Sequence, residues 1–176
     1  IDPNPKFDLG YPILGSDNHL SSLVQKFDYF LITLGAIKNT ESRKVLFDKI
    51  KYLGGHFPVI KSPHAYISPT AKIAEGTVVM HKSIINADVV IGKNNIINTG
   101  AIIEHDVKIG NHNHISTGAI LNGEASLGNS NLLGTRSVII ERINITNDIV
   151  LGAGSLVIKN IINPGVYLGS PAIRKV

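Results

Sequence analysis

The 176-residue chain contains no cysteine. Disulfides, thiolate metal sites and a cysteine nucleophile are therefore excluded. No apolar run approaches the ~20 residues that a membrane-spanning helix needs, and no signal peptide opens the sequence, which points to a cytoplasmic protein. Charge is sparse: 17% of residues are charged and the net charge is +4. Lys and Arg are scattered and form no run of the kind that marks a nucleic-acid surface. A mild positive excess also suits a phosphorylated small molecule. The 43% of residues that are hydrophobic are enough to bury a core, in one domain or one domain plus a small appendage.

What the chain does have is a repeat. Every sixth residue from Ile67 to Val157 is Ile, Val or Leu, giving sixteen hexads that run to Ile162 without a slip of phase. Five of these residues precede a glycine (Gly92, Gly110, Gly128, Gly134, Gly152), and the fifth place is often small or compactly polar, as in Asn95, Ala101, Asn113 and Ala119. A period of six fits neither a 3.6-residue helix nor simple alternation. It fits a short strand, a turn and another short strand, with one aliphatic side chain per hexad pointing into a narrow core. Gly and Asn are expected at the turns because both tolerate positive φ. Such units stack into a solenoid in which each buries its neighbour. Three hexads make one triangular coil, so about five coils rise roughly 25 Å at ~4.8 Å per stacked strand.

The front third reads differently. Phe27–Leu34 is a continuous apolar run, expected to be a strand buried on both faces and ended by Gly35. Thr40 is a candidate N-cap for a helix with Val45, Leu46, Ile50 and Leu53 on one side, stopped by Gly54 and Gly55. Residues 17–25 suggest another helix and 57–60 a short strand. This alternation indicates a small α/β, Rossmann-like unit over 1–62, preceding a β-helix over 63–176. Its usual opening of strand, glycine-rich turn and helix is not seen, and Ile1-Asp2 reads as the end of a second strand, so the unit is expected to be incomplete here.

Three of the seven histidines, His105, His112 and His114, lie within ten residues. Their spacing does not match a three-histidine zinc site, and no metal is expected. His105 holds the third, outward place of its hexad between Glu104 and Asp106. An outward imidazole beside a carboxylate can serve as a general base; an ordinary surface histidine with an acidic neighbour is the alternative. Gly123 lies one coil beyond His105, leaving an open shelf and a bare N–H that could polarise a thioester carbonyl. His114 falls on a different face of the triangle. The two histidines can converge only if another subunit packs alongside.

The stretch Asn98-Thr99-Gly100-Ala101-Ile102-Ile103-Glu104-His105-Asp106, then Ile109-Gly110 and His114, resembles the hexapeptide-repeat sugar-nucleotide acyltransferases. These include bacterial UDP-4-amino-sugar N-acetyltransferases and sialic-acid O-acetyltransferases. Leu151-Gly152-Ala153-Gly154-Ser155 and Gly169-Ser170-Pro171-Ala172 are similar to acetyltransferase endings, and the apolar run to Gly35 followed by Arg43-Lys44 is similar to the family's nucleotide-sugar-binding unit. Lys61-Ser62-Pro63-His64-Ala65 stands where relatives usually have His-Pro-Ser-Ala.

The resemblance implies a left-handed coil and a homotrimer with acetyl-CoA bound between adjacent prisms. It implies His105 as general base supported by Asp106. It implies acetyl-CoA contacts at His114, Gly123, Thr135 and Ala153, and acceptor contacts at Asp2 and Gly35. The acceptor it implies is a UDP-linked 4-amino-4,6-dideoxy sugar. A sugar O-acetyltransferase and a non-catalytic scaffold are the alternatives.

Overall fold

The computed structural model describes residues 10–35 and 40–175. Sixteen short strands, from Tyr66–Ile67 to Leu156–Val157, recur at the six-residue spacing. Each pairs in parallel with the strand eighteen residues away: Ile67 with Ile85, Ile85 with Ile103, Ile103 with Leu121. The result is a parallel β-helix with three sheets of eight, six and five strands. The eight-stranded sheet reaches beyond the repeat. It begins at Ile60–Lys61, paired with Val78–Val79, and ends with Gly165–Leu168 and the antiparallel Ile173–Arg174.

The predicted core is observed. Ile85, Ile97, Ile103, Ile115, Leu121 and Leu133 are wholly buried, and so are the small fifth-place residues Ala101, Ala119 and Ala125. Fully burying such an aliphatic side chain stabilises by roughly 1.5–3 kcal/mol, and the stacked coils share one continuous apolar column. Asn95, Asn113 and Asn131 form a buried amide ladder, each Nδ2 donating to the Oδ1 one coil back or to a turn carbonyl, so no polar edge is left open.

The turn chemistry corrects one expectation. The positive φ falls at the fourth place of the hexad, on Gly76, Gly100, Gly118 and Gly154 and on ten non-glycines including Asp106. The second-place glycines are needed for another reason, which is contact between coils. A Cβ on Gly92 would lie 2.4 Å from Asn111 Oδ1 and 2.6 Å from the Gly110 carbonyl oxygen.

The prism has three corners. The turns from the eight- to the six-stranded sheet carry Thr99, Thr117 and Thr135 and are called the threonine corner. Those from the six- to the five-stranded sheet carry His105 and are the histidine corner. Those returning to the eight-stranded sheet carry the asparagine ladder and are the asparagine corner.

In front of the prism, a 3-10 turn at Asp17–His19 leads into helix α1 (Leu20–Val24), and α2 spans Glu41–Tyr52. The buried face of α2 is Arg43, Phe47 and Ile50, with Leu46 and Leu53 packed beside it, whereas Val45 is exposed. Thr40 precedes α2 without a side-chain cap. The 27–34 run is not buried on both faces. Tyr29, Leu31 and Leu34 face outward while Ile32 is buried, because α1, α2 and Phe57 cover one side only. Its ladder contact among the described residues is a single parallel bridge, Tyr29 to His56. The unit docks on the asparagine corner: Phe47 meets the His112 ring at 5.6 Å, Lys51 pairs with Glu75 at 3.0 Å, and the buried Arg43 donates to the carbonyl of Gly76. Among the described residues, no helix is long and apolar enough to cross a membrane.

Candidate active site

Asp106 sits in the left-handed backbone region at φ 60°, where the repeat places a turn and where Asp is tolerated better than most residues. That turn brings its carboxylate back to the neighbouring ring: His105 Nδ1 lies 2.9 Å from Asp106 Oδ2. With Nδ1–H donating to the carboxylate, the lone pair is left on Nε2. This is the tautomer and orientation a base requires. The Nε2 edge projects over Gly123, and a Cβ there would stand 2.6 Å from Nε2. Gly123 is therefore the floor on which the imidazole rests.

The two side chains remain about half exposed, so substrate can reach them. The hydrogen bond to Asp106 raises the His105 pKa against desolvation, with smaller contributions from Glu104 and Glu124. Neighbouring coils hold these acids in place. Asn86 Nδ2 donates to Glu104 Oε2 at 2.8 Å, and Arg142 donates to Glu124 Oε1 from Nε at 3.1 Å and Nη2 at 2.9 Å, holding the Glu124 pKa down. Arg142 and Asn86 escaped notice in the sequence because they lie eighteen residues from their partners. Counting by that step would have found them.

The other expected residues separate into groups. Thr135 and Ala153 are exposed and stacked on the threonine corner, where the Gly154 N–H donates to the Thr135 carbonyl. His114 lies on the eight-stranded sheet leading into that corner, and its Nε2 is 3.2 Å from Asn98 Nδ2. His105, Asp106 and Gly123 thus stand at one end of the six-stranded face and Thr135 and Ala153 at the other. The third member of the histidine cluster, His112, is half-buried against Phe47, and burial lowers its pKa. Gly35 is exposed, and nothing lies near enough for a Cβ to meet. Asp2 lies outside the described residues. A cavity of about 680 Å³ in the front unit is lined by Pro12, Leu14, Phe27, Tyr29, Ile32 and Leu34 among others. Among the described residues, no group of three or more His, Asp or Glu side chains is placed to hold a metal ion.

Neither a scan against protein-family models nor a search of curated proteins by sequence gives a match. Solved structures do. The perosamine N-acetyltransferase of Caulobacter crescentus, in complex with CoA and GDP-perosamine, is 31% identical, with 96% of this chain and 79% of that one covered and a TM-score of 0.89. The acetyltransferase domain of PglB from Neisseria gonorrhoeae, in complex with acetyl coenzyme A, is 30% identical over 99% of this chain and 84% of that one, again with a TM-score of 0.89. WeeI from Acinetobacter baumannii is 21% identical over 97% of this chain and 81% of that one, with a TM-score of 0.70, and shares the fold.

Proposed function

Because the chain belongs to the hexapeptide-repeat sugar N-acetyltransferases, with acetyl-CoA as co-substrate, we propose that it acetylates the amino group of a nucleotide-linked 4-amino-4,6-dideoxy sugar, with UDP as the nucleotide and His105 as general base. The observation that carries this reading is the His105–Asp106 pair with Nε2 turned to the open shelf above Gly123. In the reaction the sugar amine attacks the thioester carbonyl. His105 Nε2 takes the amine proton as the C–N bond forms. The Gly123 N–H steadies the developing oxyanion. The C–S bond then breaks, and the imidazolium returns the proton to the departing CoA thiolate. A positioned base contributes typically 10²–10⁴-fold.

The helix in this reading is left-handed, and the front unit, over 1–62, is a part of a Rossmann-like fold whose 680 Å³ cavity receives the nucleotide, with Gly35 and Asp2 as further acceptor contacts. The location is the cytoplasm. The active unit is a homotrimer. Outward residues of the six-stranded face, Ile84, Ile102, Ile120, Val138 and Leu156, form an apolar stripe, whereas the five-stranded face presents Lys72, Lys108, Ser126 and Asn144 beside a single exposed aliphatic, Val90. Packing three six-stranded faces about one axis would bury the stripe and set the histidine corner of one subunit against the threonine corner of the next. His105 and Gly123 of one prism would then meet His114, Thr135 and Ala153 of its neighbour along the acetyl-CoA groove.

The test is thiol release from acetyl-CoA against a panel of UDP- and GDP-linked amino sugars and free sialic acid. Turnover of a UDP-linked 4-amino sugar that disappears in His105→Ala is expected. Turnover of the GDP-linked sugar alone would move the nucleotide assignment, and turnover of sialic acid alone would convert the reading to O-acetylation.

A further inference from the structure

The front unit holds a buried cation with no counter-ion. Arg43 is 4% exposed, and among the described residues no Asp or Glu pairs with it. Its Nε is buried without a hydrogen-bond partner among those residues. Burial pushes its pKa down to about 10, so the guanidinium stays charged at neutral pH. Taking a charge out of water is costly, and well-packed apolar side chains of similar volume often serve stability as well as buried charges do. What this cation touches is therefore informative.

Its three hydrogen bonds all go to backbone carbonyls. Nη1 donates to Ile32 and, at 3.2 Å, to Leu34; Nη2 donates to Gly76 at 3.3 Å. The first two acceptors stand where the front unit runs out of backbone partners. Phe30 N–H donates to the His56 carbonyl, and His56 N–H to the Asp28 carbonyl. Beyond that point Pro58 has no N–H to extend the ladder. The chain then leaves for the prism, where Ile60–Lys61 pairs with Val78–Val79. The guanidinium takes the place of the departed strand. The third acceptor belongs to a turn of the first coil that is already held by the front unit. The Gly76 N–H donates to the Pro58 carbonyl at 3.2 Å, and Glu75 pairs with Lys51 of α2 at 3.0 Å. A Cβ on Gly76 would lie 2.7 Å from the Phe47 ring.

Ile32, Thr33 and Leu34 line the 680 Å³ cavity, whereas Arg43 does not. We propose that Arg43 is a positioning residue for the acceptor, pinning the Ile32–Leu34 wall of the cavity to the first coil of the prism. It touches neither substrate. It holds the wall in its binding form before the nucleotide arrives, so the ordering cost is not charged to the ligand. A planar fork suits this task because it fixes direction, which apolar packing alone does not. The inference rests on the nucleotide-binding role proposed above for this cavity.

The test is calorimetry of the whole chain with UDP, with GDP alongside, together with turnover of the nucleotide-linked sugar. Arg43→Met should weaken nucleotide binding and raise KM for the sugar, each by about tenfold, with kcat and the KM for acetyl-CoA nearly unchanged. Arg43→Lys keeps the charge without the fork. It should recover melting temperature but remain about fivefold weaker for the nucleotide. Phe57→Leu loosens the same apolar cluster and leaves the three carbonyls bonded, so it controls for lost stability, and its nucleotide affinity should match the wild type. Nucleotide affinity in His105→Ala should also match, which keeps failure of the base apart from failure of this role. Wild-type affinity in folded Arg43→Lys would overturn the proposal. An equal loss in Phe57→Leu would reduce Arg43 to a stabilising contact and overturn it too. A wild type that binds neither UDP nor GDP would instead overturn the cavity as the nucleotide site, and the role of Arg43 with it.

Discussion

The histidine corner and the threonine corner are built from the same hexad, by the same turn, with opposite chemistry. At the fourth place, where φ is positive, the histidine corner carries Asp88, Asp106, Glu124 and Arg142, and the threonine corner carries Lys82, Gly100, Gly118, Arg136 and Gly154. The backbone does not choose between these sets, since both occupy the same left-handed conformation. The difference must therefore lie in what each edge faces. Acids at the histidine corner orient and charge-tune an imidazole. Glycines at the threonine corner, level with it, leave room for a ligand, with cations at either end. A solenoid whose stability comes from its buried column can vary its edges almost freely. Function is written on those edges in steps of eighteen residues.

The comparison can be broken most severely at its base. His105→Ala should lower kcat by about 10²–10⁴-fold with no change in circular dichroism, because the ring is exposed and outside the core. An active His105→Ala enzyme would return this corner to an ordinary acidic surface. Gly123→Ala should cost roughly 10²-fold in kcat, since displacing a reacting group by about 1 Å can do so. Its Cβ would fall 2.6 Å from Nε2 and push the ring off its shelf. Wild-type turnover in Gly123→Ala would show that the shelf plays no part.

Asp106→Asn should have the smallest effect, about tenfold, but the most specific. In the proposed mechanism the neutral imidazole is the active form, and its pKa is raised chiefly by the Asp106 hydrogen bond. Activity in the wild type should therefore be present above that raised value and lost as pH falls through it. Removing the carboxylate should move this acid limb of kcat/KM to lower pH while lowering the plateau. A limb that stays in place would mean that the titrating group is not His105.

Much of the fold was legible because one residue type, a branched aliphatic, recurs at one period. The core column and the eighteen-residue register followed directly, as did the outward placement of His105 above Gly123. The roles of the glycines were less legible. Both the second and fourth places favour glycine, one for contact between coils and one for positive φ, and composition alone cannot separate these causes. The front unit was read least well. Phe27–Leu34 has the composition of a doubly buried strand, but burial depends on what lies on either side, and only one side is covered by the described residues. His112 is close in sequence to His105, yet it packs under Phe47 at another corner. The sorting of charge between corners is present in the sequence but invisible until the chain is wound at eighteen residues per coil.

The central claim, that one subunit's histidine corner works with the next subunit's threonine corner, is tested most directly by subunit mixing. His105→Ala disables the first edge, and Thr135→Trp should block the exposed second edge without entering the core. Each variant alone should be inactive and trimeric. When the two are unfolded together and refolded as mixed trimers, some interfaces pair an intact histidine corner with an intact threonine corner, and acetyl transfer should reappear well above the sum of the parents. Mixed trimers no more active than their parents would contradict a shared site.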